Sequence, residues 1–184
     1  MITFTTSGTD KELNGILHLQ KANLLKNLTQ SESLSQGFVT VSHTLEDLKK
    51  LNDYEQQLII KDEDQIVGYL LAMTNASRND IPILIPMFDL FDSIVYKEKL
   101  ISAYKYIVVG QACIQKEYRG KGLLDKSYSA YKTFFKDKYD FAITEIALNN
   151  TRSLNAHKRI GFVELKRTRD INNMEWIVVI WEWK

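Results

Sequence analysis

The sequence predicts an α/β domain built on a mixed sheet with antiparallel parts. Two observations carry that expectation. In the first half, two extended runs flank "KDED" and pair locally as a hairpin. After residue 104, strands alternate with helical stretches until two closing strands end the chain. At 184 residues the chain reads as a single domain, residues 1–184, long enough to bury a core.

The elements follow in order. "ITFTT" alternates and reads as a first strand. "TDKELNGILHLQKANLL" reads as a helix capped by Thr9 or Asp10, with Leu13, Ile16, Leu17 and Leu24 near helical spacing. "GFVTVSH" reads as a strand. "TLEDLKKL" reads as a short helix with Thr44 as N-cap and Asp47 closing a capping box. "QLIIKDEDQIVGYLLAMT" is the hairpin. Residues 78–103 hold both prolines and read as one or two short helices.

"YKYIVVGQACIQ" reads as a long strand, and Gly110 inside it suggests a bulge or a close approach. The next helix carries Leu123, Leu124, Tyr128, Tyr131 and Phe135 on one face. "FAITEIAL" reads as a strand. "NTRSLNAHKRIGF" reads as a helix closed by Gly161. "GFVELKRT" and "MEWIVVIWEWK" read as a hairpin joined through "RDINN".

Composition removes several function classes. The formal net charge is +1, so no broad basic field exists to hold nucleic acid or an anionic membrane. The longest apolar run, "IPILIPMFDLF", is too short to cross a bilayer and is broken by Pro82, Pro86 and Asp89. The first residues lack the basic and apolar regions of a signal peptide. The lone Cys113 can form no disulfide within the chain, which fits a cytoplasmic setting, and reads as a small buried apolar residue. No His/Asp/Glu cluster has metal-ligand spacing, so no metal is expected. His18 and His43 read as surface or packing residues.

One stretch asks for chemistry. Arg119-Gly120-Lys121-Gly122 stands between a strand and a helix. Amides at a helix start lack internal partners, glycine lets an anion approach them, and the helix dipole adds positive potential. The stretch is therefore a cradle for a pyrophosphate, or a plain strand-to-helix turn with solvated charges. It is neither a P-loop nor the G-x-G-x-x-G dinucleotide fingerprint.

In this half the chain resembles the GCN5-related N-acetyltransferase (GNAT) superfamily. The family's loop reads Gln/Arg-x-x-Gly-x-Gly/Ala; here Arg119 and Gly122 match, and Leu124 stands where Gly or Ala is usual. Downstream the family carries Asn-x-x-Ala/Ser-x-x-x-Tyr-x-x-x-Gly-Phe. Asn150, Ser153, Gly161 and Phe162 match, and His157 replaces the tyrosine. The detailed match spans about residues 104–165, and the N-terminal half agrees only in its order of elements.

The resemblance implies a GNAT-like fold: a mixed central sheet of about seven strands with a splayed pair, flanked by helices. It implies acetyl-CoA as co-substrate and direct transfer of the acetyl group to an amine on a small molecule or a peptide. A catalytically inactive CoA-binding sensor is the alternative. The segments around residues 108–114 and 141–147 are expected to splay. Ala112, Cys113 and Ile114 are expected to pair with the pantetheine arm. Arg119, Gly120, Lys121, Gly122, Leu123, Leu124 and Asp125 are expected to wrap the pyrophosphate, with Asn150 and Ser153 against the cofactor arm.

Only about one primary amine in a thousand is neutral at pH 7, so a base is needed. Glu145 lies at an offset from Asn150 where some family members place one; otherwise it points out of the sheet or pairs with a cation. An amide near Cys113 or Ile114 is the expected oxyanion donor. His157 is expected to protonate the leaving thiolate, or else to pack. Residues 74–103 insert where the family has a short turn. They read as a lid or wall over the acceptor, with Asp89 and Asp92 meeting a cationic amine, or as extra core or a dimer contact. The last strand is apolar on both faces, which fits a buried strand or a homodimer contact.

Overall fold

The computed structural model describes residues 1–184, the side chain of Leu34 excepted. Seven strands form one sheet: β1 (Ile2–Thr6), β2 (Leu58–Asp62), β3 (Gln65–Met73), β6 (Tyr106–Ile114), β7 (Phe141–Ala147), β8 (Val163–Arg169) and β9 (Glu175–Glu182). Their order is β1-β2-β3-β6-β7-β9-β8. Only β6 and β7 pair in parallel; the other neighbours are antiparallel.

Strand alternation sends side chains to the two faces of the sheet. Tyr69, Leu71, Val108 and Ile143 face α1 (Asp10–Asn23), α3 (Leu45–Tyr54) and α4 (Ile85–Asp92), where Leu13, Ile16, Leu48, Leu51, Phe88 and Phe91 are buried. Leu70, Ala72, Ala142 and Ile146 face α5 (Leu123–Phe135), which buries Tyr128, Tyr131 and Phe135. Each Leu, Ile, Val or Phe among them contributes about 1.5–3 kcal/mol on burial. The apolar stripe of α5 is the one its sequence spacing predicts.

Capping chemistry sets the helix starts. Thr9 closes a capping box with Glu12, and Thr44 closes one with Asp47. Thr29 and Glu32 form another, which starts the short α2 (Gln30–Gln36), an element not foreseen although its box stands in the sequence. α1 ends at Asn23, earlier than expected, because Leu24 turns extended.

Residues 37–43 are not a strand. Val39 alone makes a bridge, to Leu24, and the segment runs as a strap from α2 to α3. Its main-chain groups are taken up piecemeal. Val39 N–H donates to Asn23 O (3.0 Å), Asn150 Nδ2 donates to Phe38 O (3.0 Å), and Gln111 Nε2 donates to Val41 O (2.6 Å).

The insertion is extra core, one of the expected alternatives. Ile81, Leu84, Phe88, Phe91, Ile94 and Ile101 join the main core, and a two-stranded hairpin, β4 (Val95–Tyr96) and β5 (Lys99–Leu100), follows α4. Asp89 and Asp92 do not wait for an amine. Both pair with Arg78, and Asp92 also accepts from Tyr106 OH (2.8 Å). β9 is apolar on both faces because it lies inside the sheet between β7 and β8.

Candidate active site

The site starts where β6 and β7 part. Their parallel register holds Tyr106 opposite Phe141, Ile107 opposite Ala142 and Val108 opposite Ile143, and then ends. On its other edge β6 stays paired to β3 through Ile114, with a register shift that leaves Gly110 and Gln111 facing Leu71 as a bulge. Beyond Val109, one edge of β6 therefore lacks a strand partner.

Alternation decides which groups line that edge. Gln115 N–H donates to Val67 O (2.8 Å), so Cys113, two residues earlier, also turns its amide to β3. Ala112 and Ile114 turn theirs to the open edge. Of the expected oxyanion donors, Cys113 is thus committed to the sheet and Ile114 is available. The Cys113 thiol is buried, which pushes its pKa up to about 12 and removes it as a nucleophile.

The loop after β6 is held at its head by Arg119. Its Nε donates to Ile114 O (2.8 Å), and its other nitrogens bind Gln36 Oε1 (3.0 Å) and Asn23 Oδ1. Arg119 therefore acts as a tether from β6 to α1 and α2, with its guanidinium already coordinated. Lys121 lies over the ring of Tyr118, 5.2 Å from its centroid, outside the cleft lining.

Gly120 and Gly122 have φ of +73° and +72°, which glycine adopts without strain. A Cβ at either would meet nothing within 4 Å, so open space lies in front of both. Lys126 N–H is bonded within the turn, to Gly122 O (3.2 Å); the amides of Leu123, Leu124 and Asp125 ahead of it belong to cleft-lining residues at a helix start, and no side chain caps Gly122. Leu124 does not displace the helix start: α5 begins regularly at Leu123, and Leu124 packs on the core. Asp125 is bound by Arg159 through Nε (2.9 Å) and Nη2 (3.0 Å), which lowers its pKa and ties α5 to α6 (Thr151–Ile160).

These parts enclose a cleft of about 520 Å³. It gathers Ala112, Cys113, Ile114, Arg119, Gly120, Gly122, Leu123, Leu124, Asp125, Asn150, Ser153 and His157. A narrower end of about 80 Å³ shares Ala112, Asn150, Ser153 and His157 and continues to Thr144, Glu145 and Trp176. Residues 37–39 of the strap wall the cleft, and Phe38 and Val39 reach the narrow end too. The sequence reading missed that wall by taking the segment as a strand. It also missed Thr144, whose only signal is a hydroxyl within an apolar strand, and Trp176, which carries none.

The polar side chains at the inner end differ in freedom. Asn150 caps α6, its Oδ1 accepting from Ser153 N–H (3.3 Å), and also holds Phe38 O. His157 is buried between helices. Ser153 O lies 2.8 Å from Nδ1, which makes Nδ1 the protonated nitrogen, and Tyr128 OH donates to Nε2 (2.5 Å). Burial lowers its pKa to about 4. Its single proton is engaged at neutral pH, so the expected acid role does not fit this geometry. Glu145 neither points away from the cleft nor pairs with Lys or Arg: it lines the narrow end, and no ion pair includes it among the described residues. Burial, aided by the Asp170 charge, raises its pKa to about 7.

Comparison with known proteins gives a family and a fold. A family model described as "Acetyltransferase (GNAT) family" matches residues 25–162. No curated protein matches the chain by sequence. Among solved structures, a chain of the NatC complex bound to Gag peptide and CoA is 14% identical, with TM-score 0.68, covering 100% of this chain and 99% of that one. The ribosomal-protein-S18-alanine N-acetyltransferase from Escherichia coli is 10% identical, with TM-score 0.65, covering 100% and 95%. A protein from Salmonella typhimurium solved with its cofactor acetyl-CoA is 12% identical, with TM-score 0.61, covering 100% and 95%. At such identities the likeness is one of fold.

Proposed function

The chain belongs to the GNAT acetyltransferase family, and from that premise we propose that it moves the acetyl group of acetyl-CoA directly to an amine. The observation that carries the reading is a pair of adjoining cavities that share walls at Phe38, Val39, Ala112, Asn150, Ser153 and His157. They run from the Gly120–Gly122 loop, along the free edge of β6, to the unpaired Glu145. The open space before Gly120 and Gly122 suits a diphosphate gripped by main-chain amides. The open-edge amide and carbonyl of Ala112 and the open-edge amide of Ile114 suit an amide-bearing arm laid beside the strand, Ile114 O being held by Arg119. CoA or acetyl-CoA in two of the structural neighbours supports the same choice.

The chemistry follows from the inner end. An ammonium arriving there transfers a proton to Glu145, directly or through one water. With a pKa of about 7, Glu145 is poised to accept it near neutral pH. The amine lone pair forms the C–N bond at the thioester carbon, and the carbonyl oxygen takes up negative charge. The Ile114 or Ala112 amide, turned to the open edge, is placed to stabilise that oxygen, an effect worth about 2.7–4 kcal/mol. The C–S bond then breaks as the attacking nitrogen gives up its second proton to water, and CoA leaves as a thiolate that takes up that proton from the same solvent.

Lys and Arg are missing from the lining of the narrow end among the described residues, and Glu145 is its one carboxylate. That electrostatic character favours a cationic amine over an acidic acceptor. The Gag peptide bound in the NatC neighbour supports a peptide amine as one acceptor class. The engaged His157 favours a second reading, a module that holds CoA without catalysis. Thiol release from acetyl-CoA, measured over a panel of peptide and small amines, separates the two. Saturable release with at least one amine is expected; tight acetyl-CoA binding with no release over hydrolysis would leave the sensor.

A further inference from the structure

A side chain takes the place of a ladder bond at the point where β6 and β7 diverge. In unbroken parallel register, Val109 would come next after Val108 and face Thr144. The Val109 carbonyl, turned toward β7, would then accept from the Glu145 N–H. Instead the Thr144 hydroxyl donates to Val109 O at 2.8 Å. Thr144 is buried, 7% exposed, and lines the narrow end beside Glu145.

We propose that Thr144 is the wedge that holds the splay open, and so a positioning residue for acetyl transfer. Its hydroxyl satisfies a buried carbonyl that would otherwise draw the next β7 amide across. With that carbonyl occupied, the strands separate and the narrow end keeps its room. On the opposite edge, the Gly110–Gln111 bulge lets β6 turn away from β7 without losing its pairing to β3 at Ala112. A Cβ at Gly110 would lie 2.4 Å from the Met73 side chain, so the bulge is packed tightly on that side. The wedge and the bulge together fix where Ala112 and Glu145 stand relative to each other. The catalytic part of this inference rests on the acetyl-transfer reading; the structural part does not.

Two readouts test it. Thr144→Val keeps the shape and removes the donor. Val109 O then recruits the Glu145 amide, the strands close by one rung, and hydrogen exchange at Glu145 slows by about tenfold or more in the protein alone. In steady-state assays the acetyl-CoA KM rises about tenfold and kcat falls with it, because the arm loses room and Glu145 shifts relative to Ala112. Thr144→Ser restores both values. If Thr144→Val does not fold, Thr144→Ala against Thr144→Ser makes the same comparison. Wild-type exchange at Glu145 in the donor-free variants overturns the wedge, whatever the enzyme assay shows. Slowed exchange with an unchanged KM overturns its role in positioning.

Discussion

Glu145 and His157 lie at the same inner end, and burial drives them opposite ways. The carboxyl is raised to about 7, so it can both take and hold a proton near neutrality; the imidazole is lowered to about 4 and stays neutral. The account expects kcat/KM to fall about tenfold per pH unit below about pH 7, as Glu145 becomes protonated. Glu145→Gln should lower kcat by about 10²–10⁴ and leave the acetyl-CoA affinity unchanged, measured by steady-state kinetics beside calorimetry. A wild-type rate would move the base elsewhere. Glu145 was singled out through the family resemblance, by its offset from Asn150, and it does line the narrow end. The state of His157 was not, because its partner Tyr128 reaches it only through the packing of α5 against α6. Asp89 and Asp92 misled for the same reason: Arg78, which neutralises them, is brought close by the fold of the insertion.

The elements of the cleft are joined by side chains more than by strand pairing. Arg119 links the end of β6 to α1 and α2, Asn150 links α6 to the strap, and Arg152 Nη1 donates to Ser35 O (3.0 Å). Arg119→Met keeps the apolar stem and removes these bonds. Faster hydrogen exchange across residues 24–40 and an acetyl-CoA KM raised about tenfold are expected, because the cleft wall loses its anchor. Unchanged exchange would show that α2 is held by other contacts. The strap explains why "GFVTVSH" was misread: its alternation is real, yet Asn23, Asn150 and Gln111 satisfy its main chain without a neighbouring strand. The glycine loop and the helices on either side of β7 were legible, because caps and glycines act within a few residues. The splay was not readable from local pattern, and rested on the family resemblance, since it depends on register between β6 and β7.

Across the whole molecule, a seven-stranded sheet with buried clusters on both faces puts the cleft at one end of the β6–β7 pair, with the insertion packed at the other, against Tyr106 and Phe141. The presence of a mixed sheet was legible; the order that buries β9 between β7 and β8 was not, because a doubly apolar strand fits a sheet interior and a subunit contact equally. His43, like His157, is lowered to about 4 by burial. A folded pKa below the unfolded value of about 6.5 gives stability that is present above that value and lost as pH falls toward 4. Glu145 works against this between about 7 and 4.5, since protonation favours its buried form. With two imidazoles against one carboxyl, urea unfolding should show stability falling from pH 6.5 to 4, and the combined His43→Gln, His157→Gln variant should flatten the slope. A slope unchanged in that variant would mean both imidazoles charge freely in the fold. The most direct test of the account is calorimetric titration of acetyl-CoA into the wild-type chain and into Gly122→Glu, whose carboxylate enters the open space before the loop amides. The account predicts saturable one-site heat that the variant abolishes while remaining folded. Wild-type affinity in the variant, or no saturable heat in the parent chain, would contradict it.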